Sequence, residues 1–513
     1  MQNIIQGDLR GVKRLVAKGH SICKHALQKS VEHGHLDIIK YLVKKGADIH
    51  ANSDCALQWS AYYGHLDIVK FLVEKGANIR IKNDKTLQIS VERGHLDIVK
   101  FLVEKGANIR VKNNNALKLS AYNGHLDIIK YLVEKGADIH ADAENALQRS
   151  AYYGHLDIVK FLVEKGANIR VKNDKAFQIS VDRGHLDIVK FLVEKGANIR
   201  VKNNNALKLS ACNGHLDIIK FLVEKGVNIH ANSEVALQWS AGHGHLDVVR
   251  YLVEKGADIH ADSEEALQNS ALNGHLDVVE FLVEKGANIH TDVYCTLVCG
   301  AKKGHLDIVK YITKKGSNVI IDEWGIHNFE VEEALTESAL NGHLDVVKYL
   351  VEKGADIHAN SEVALQVSAG FGCLDVVKYL VEKGADIHAN SDHALQMSGR
   401  DGHLEVVKYL IEKGADIHAN PDLLQTCASS GHFEVVKYLV EKGFDIHAYS
   451  DALRLSAAYR HFNIVKYLID IGAKIPDDSE FQEIMVRMKL LLMQKNDVIY
   501  TIDAYIHEWL WKP

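Results

Sequence analysis

Gly64–Ile79 reads GHLDIVKFLVEKGANI, and its apolar spacing decides the fold. Leu66, Val69, Leu72 and Val73 fall at i, i+3, i+6 and i+7, with Ile68 and Phe71 widening the stripe, which is the period of a helix. Asp67 in the first turn and Lys75 in the last complement the helix dipole, and Gly76 stands where a left-handed C-cap is needed. A helix apolar over so much of its circumference must be covered on several sides. One such unit cannot do this, but a stack can. The chain supplies the stack. The string or a close variant begins at Gly34 and returns at Gly64, Gly94, Gly124, Gly154, Gly184, Gly214, Gly244, Gly274, Gly304, Gly342, Gly372, Gly402 and Gly431, with a degraded copy after Arg460. A first copy spans Gly7 to Gly19. The step is 30 residues over most of the chain, 38 from Gly304 to Gly342 and 29 in the last two units. One elongated array is expected, not the three or four domains that length alone suggests.

The stretch before each string reads as a shorter helix. In the unit Asn52–Gly76, Asn52 and Ser53 are residue types that cap helix N-termini. Cys55–Ala61 then sets Ala56, Leu57, Ser60 and Ala61 on one face, and the small ones let a neighbouring helix approach closely. Gly64 ends this first helix; the second runs from about Leu66 to Lys75. Ala77-Asn78-Ile79-Arg80 is expected to lead out in an extended connection.

These residues resemble the ankyrin repeat: Ala61–Gly76 (AYYGHLDIVKFLVEKG) with Ala77 and Asn78 matches the family's corner, second helix and finger entry, and the match recurs to about Lys474. The resemblance implies an all-α ankyrin-repeat solenoid, elongated and curved, of stacked helix-turn-helix units with short β-turn fingers. Two departures stand out. The family repeat is about 33 residues, so the fingers here are expected to be clipped, and the family's Thr-Pro-Leu-His start is replaced by Ala-Leu-Gln, as at Ala56-Leu57-Gln58. Short, proline-free repeats look like those of ankyrin proteins encoded by giant amoebal viruses of the mimivirus group, which implies an intracellular setting, the cytoplasm of an infected host cell. The expected division is a truncated N-terminal capping repeat (1–20), repeats of 30-residue period (21–320), a finger insertion (321–333), further repeats (334–474) and C-terminal capping helices (475–513).

Composition narrows the function classes. Three prolines in 513 residues contrast with roughly 26 at the usual share of about 5%, and none occupies a first-helix start. A hydrophobic share of 47% excludes wholesale disorder. A net charge of -6 gives no global pull toward nucleic acid. No apolar run nears the roughly 20 residues of a membrane span, and the opening MQNIIQGDLRGVKRLV lacks the form of a secretion signal. Seven scattered cysteines form no CxxC pair, which fits a reducing compartment.

Histidine is abundant, with 30 copies. Fourteen sit at the corner, from His35 to His461, with Cys373 in place of one; nine close the finger entry (His50, His140, His230, His260, His290, His358, His388, His418 and His447). Ladders with rungs about 8–10 Å apart cannot share a metal at 2.0–2.1 Å. The corner histidines are expected to bond exposed backbone at a helix start, and the finger histidines to be solvated or bonded to the next finger. The resemblance adds hydroxylation of this finger position, carried to His50 and its equivalents. No phosphate loop, HExxH or GxSxG signature is present, so neither an enzyme nor a cofactor is expected.

Information lies where the repeat varies. In the family, first-helix and finger residues face the partner, which nominates Trp59, Tyr62, Tyr63, Arg149, Tyr152, Tyr153 and Trp239 on the first helices. The early fingers are basic, at Arg80, Lys82, Arg110, Lys112, Arg170, Lys172, Arg200 and Lys202, whereas later ones are neutral to acidic. A basic strip suits an acidic segment of a protein partner; nucleic acid and membrane are not expected, and a monomer is. The aliphatic Ile89, Leu119, Ile179 and Leu209 are expected to pack against the next unit. Residues 62–140 and 152–230 are near copies, so similar surfaces recur three units apart. Trp324 and Phe329 mark the insertion, and the tail carries two amphipathic stretches (Phe481 to Leu492, Ile499 to Leu510) expected to cap the array. IPDDSEFQEIM faintly resembles the start of an F-box-like helix pair, and this gives the alternative of a viral adaptor recruiting host ubiquitin ligase machinery. Without a proline start, first helices should be looser than second helices. Amide exchange should be faster in first helices, and equal protection in the two sets would refute it.

Overall fold

A computed structural model describes residues 2–18, 24–290, 296–316, 328–444, 450–475, 481 and 483–484, with backbone alone at 24, 112–114, 143, 201–204, 316, 328–329 and 450. The described residues form 32 helices and no strand, an all-α repeat fold. Two compact units divide the chain: residues 1–240 with 254–257, and residues 241–253 with 258–513.

In the first unit the specimen repeat comprises Ala51–Tyr63 and Leu66–Glu74. Leu57, Ser60, Ala61, Ile68, Val69 and Leu72 are fully buried at 0%, so the first helix contributes its small-residue face and the second contributes three aliphatics. Leu66, Phe71 and Val73 are only half-buried, which makes the core stripe narrower than the periodicity suggests. The buried Ser60 hydroxyl returns its hydrogen bond to the Leu57 carbonyl at 2.8 Å, so it enters the core without an unmet donor.

The start of the first helix corrects the sequence expectation. Asn52, Ser53 and Asp54 are not caps. All three are left-handed, with φ of 53°, 63° and 54°, and the turn recurs at Lys82–Asp84, Lys172–Asp174 and Asp262–Glu264. Each such residue costs about 1–2 kcal/mol, and Asn and Asp tolerate it best; no β-branched residue occupies these positions. A hydrogen bond offsets part of the cost. Gln58 Nε2 donates to the Ser53 carbonyl at 2.8 Å, and Gln88, Gln268 and Gln366 do the same to Asn83, Ser263 and Ser361. This is the physical content of Ala-Leu-Gln. Proline is excluded because at Ala56 it would drive the helical Cys55 out of the α region.

The finger is likewise not extended. Asn78 Oδ1 accepts from the Arg80 N–H at 2.9 Å, an Asx turn. Asp48, Asp138, Asp258, Asp356 and Asp386 make the same turn two residues before a finger histidine, which is why this position is Asp or Asn in all but the first and last repeats.

At the corner, repeats lock through a glycine and the next repeat's histidine. His95 Nε2 donates to the Tyr62 carbonyl at 3.1 Å, and His155 and His185 reach Tyr122 and Tyr152 at 3.1 and 3.0 Å. The corner histidine therefore ties its repeat to the preceding one instead of capping its own helix. In the second unit His275, His305 and His343 bond Gly242, Leu272 and Lys302 likewise, and Cys373 sets its Sγ 3.6 Å from the Leu340 carbonyl.

At the N-terminus Gln2–Ile5 is a single helical turn, and Asp8 caps Leu9–Ala17 by accepting from Gly11 N–H at 2.9 Å. Phe481 is buried at 1%; Trp324, the Phe329 side chain and the rest of the two tail stretches, apart from Glu483 and Ile484, lie outside the described residues.

Gly124 has φ +80°, and a Cβ there would stand 2.8 Å from His155 Cε1, whereas Gly106 (φ +92°) has nothing within 4 Å of that point. Gly106→Ala should cost about 1–2 kcal/mol through backbone strain alone, and Gly124→Ala should cost more. Urea unfolding of both, with and without His155→Ala, checks this: the substitution of His155 should reduce the penalty at Gly124 and leave that at Gly106 unchanged.

Candidate partner-binding face

The fingers and the ends of the first helices form the variable surface. In the fingers, the last residue of each left-handed turn is an acid driven inward: Asp54, Asp84, Glu144, Asp174, Glu234, Glu264, Glu362 and Asp392 are 2–4% exposed. Each meets the basic residue four positions earlier. His50 Nδ1 lies 2.9 Å from Asp54, His140 2.6 Å from Glu144, His260 2.6 Å from Glu264, and Arg170 3.0 Å from Asp174. The same carboxylates also accept a backbone N–H from the following repeat: Asn78 on Asp54 at 3.2 Å, Asn108 on Asp84 at 3.1 Å, Asn168 on Glu144 at 3.1 Å and Asn198 on Asp174 at 3.2 Å. His50, His140, His230, His260, His358 and His388 are thus held by their own repeat's carboxylate, not by the next finger. The acid that made the later fingers look acidic is buried and paired. Where Gly304 to Gly342 lengthens the repeat, His290 takes Glu330, 40 residues on, at 2.9 Å.

The finger arginines are also engaged. Arg110 donates to the Gly136 carbonyl at 3.0 and 2.7 Å, and Arg200 to that of Gly226 at 3.3 Å; Arg80 lies 4.0 Å from Asp84. Their side chains stay largely exposed, but much of their hydrogen bonding is spent between repeats. Lys82 and Lys172 are exposed. The side chains of Lys112 and Lys202 lie outside the described residues.

The first-helix candidates come together in two clusters of the first unit. Trp59 packs edge-on to Tyr62 at 5.5 Å and stacks with Tyr63 at 5.7 Å, while Arg93 of the next repeat lies 3.9 Å over the Tyr62 ring. Tyr153 lies 4.3 Å from Tyr122 and 4.7 Å from Tyr152, and Arg183 lies 4.0 Å over the Tyr152 ring. A pocket of about 320 Å³ opens beside the second cluster, lined by Asn145, Gln148, Arg149, Tyr152, Tyr153 and Ile179. Tyr63, Tyr122, Tyr152, Tyr153 and Trp239 remain 37–41% exposed, so these rings both pack between repeats and face solvent. Lys208 sits 4.3 Å over Trp239. The aliphatic Ile89, Leu119, Ile179 and Leu209 are half-buried. Tyr122, Arg93 and Arg183 were missed from sequence. The signal was a pairing 31 residues apart, one more than the repeat, because side chains at the helix end lean onto the next unit.

A family model described as Ankyrin repeats (3 copies) matches overlapping segments from residue 1 to residue 478, including 1–83, 138–203, 260–323 and 395–478. The chain is an ankyrin repeat protein. No curated protein matches it. Ankyrin repeats are generally protein–protein interaction modules, which suits a face of exposed rings and guanidinium groups. Burial pushes the Cys299 thiol up to about 11 and Cys427 up to about 12, so neither supplies a thiolate near neutral pH. No helix among the described residues is long and apolar enough to cross a membrane.

The hydrogen bonds to Glu144, Glu264 and Glu362 raise His140, His260 and His358 above their ordinary value of 6.5. A raised folded-state value means the stabilisation is complete below about 6.5 and is lost as pH rises through the raised value. His140→Gln/His260→Gln/His358→Gln should therefore lower Tm relative to the parent most near pH 6 and least near pH 9. A deficit that does not change with pH would refute the pairing.

Proposed function

We propose that this protein is a non-enzymatic interaction scaffold that holds a partner protein on the first-helix and finger face of its first unit. The observation that carries this is the exposed cluster of Tyr122, Tyr152 and Tyr153 with Arg149 and Arg183, beside a pocket of about 320 Å³ that Arg149, Tyr152 and Tyr153 line. Tyrosine supplies large contact area with few rotatable bonds, and arginine supplies a planar bidentate donor that also stacks on rings, which makes them dominant interface residues. The infected-cell setting rests on the giant-virus style of the short repeats.

Proximity labelling by the full chain and by its Tyr122→Ala/Tyr152→Ala/Tyr153→Ala variant, in the same cells, tests the assignment. Each interface ring should be worth more than about 1 kcal/mol, so the triple variant should lose a defined set of labelled proteins while its helical content is retained. Identical label sets would remove this face from consideration.

A further inference from the structure

The two clusters in the first unit are one device built twice. Tyr62 and Tyr152 are 90 residues apart, and each carries an arginine guanidinium from the following repeat over its ring, Arg93 at 3.9 Å and Arg183 at 4.0 Å. Each has a second exposed tyrosine beside it, Tyr63 or Tyr153. A guanidinium over a ring is held in place, and Arg183 is held further because its Nη2 donates to the Tyr152 hydroxyl; with five N–H donors in a planar fork, each arginine keeps others with which to meet a carboxylate. Arg183 shares part of its charge with Asp182 at 3.7 Å; among the described residues no carboxylate pairs with Arg93 or Arg149. Arg93 and Arg149 therefore bring guanidinium charge that no ion pair among the described residues takes up, beside apolar ring surface. Exposed Lys82 and Lys172 recur in the fingers at the same 90-residue interval.

We infer that these two platforms together bind one extended acidic segment of a partner protein, each arginine taking a carboxylate and each neighbouring tyrosine an apolar side chain. The inference rests on the scaffold function proposed above and adds the chemistry and spacing of the ligand. Three repeat steps of about 8–10 Å separate the platforms by roughly 24–30 Å. An extended chain rises about 3.3 Å per residue, so the two acidic anchors stand about seven to nine residues apart. Linking two weak anchors makes the second contact intramolecular, and overall affinity can exceed that of either anchor by about 10²–10⁴-fold.

The test is selection from a phage-displayed library of random peptides, about 15 residues long, on the full chain. Anisotropy titration of the enriched peptides follows, on the parent and on Arg93→Gln, Arg183→Gln, the double variant, Arg93→Lys/Arg183→Lys and Lys100→Gln/Lys190→Gln. The expected peptides carry acidic residues at two positions seven to nine apart. Each single Arg→Gln variant should weaken binding at least about 10-fold, and the double variant about 100-fold. The lysine variant, which keeps charge but loses the planar fork, should lose most of the affinity, whereas removing the same charge from the second helices at Lys100 and Lys190 should change nothing. Peptides without paired acids, binding indifferent to the arginines, full retention with lysine, or no enrichment would each overturn the inference. Proximity labelling decides the broader scaffold function separately, because it reads whole proteins and the tyrosine cluster.

Discussion

A carboxylate that is 2–4% exposed is a costly group unless it is paired and hydrogen-bonded, and much of each repeat's shape follows from meeting that condition. The acid reaches the interior only because the three residues ending in it wind left-handed. Once inside, it takes a histidine or arginine from its own finger and an N–H from the next repeat. One group thus closes the finger and joins two units. The Asx turn before it aims the basic side chain, and the glutamine after it holds the carbonyl of the left-handed turn. Five sequence positions are tied to one buried charge.

The second join is at the corner, where the two partners come from different repeats. A corner glycine is required by its positive φ, and also because the next repeat's imidazole lies where its Cβ would be, 2.7 Å away at Gly64. Glycine and histidine thus belong together through a contact 31 residues apart, although they stand side by side in the string. Because each unit touches only its neighbours, copying such a unit lengthens a stack without new inventions. A substitution at a joining position breaks a contact that recurs along the stack, whereas one at the variable face changes at most a contact that only some repeats make. That difference is why the variable face is free to diverge.

The same contacts redistribute charge. Finger arginines that look in sequence like a free basic strip reach carbonyls and carboxylates of the stack, and late acidic fingers hide their acid. What remains for a partner is concentrated at the ends of the first helices, in rings and guanidinium groups that stay partly exposed.

The sequence by itself determined the repeat, the family, the two helices of each unit and the general surface on which variability collects, because hydrophobic period and glycine spacing are local properties written in each copy. Trp59, Tyr62, Tyr63, Tyr152 and Tyr153 were legible as candidates for the same reason, since each interrupts an otherwise repeated string. Only the tertiary structure decided that Asn52–Asp54 is a left-handed turn and not a cap, that the finger histidines serve a buried acid, and that Tyr122, Arg93 and Arg183 complete the clusters. Those outcomes depend on partners 24, 31 or 33 residues away, whose side chains meet only when one repeat is laid upon the next.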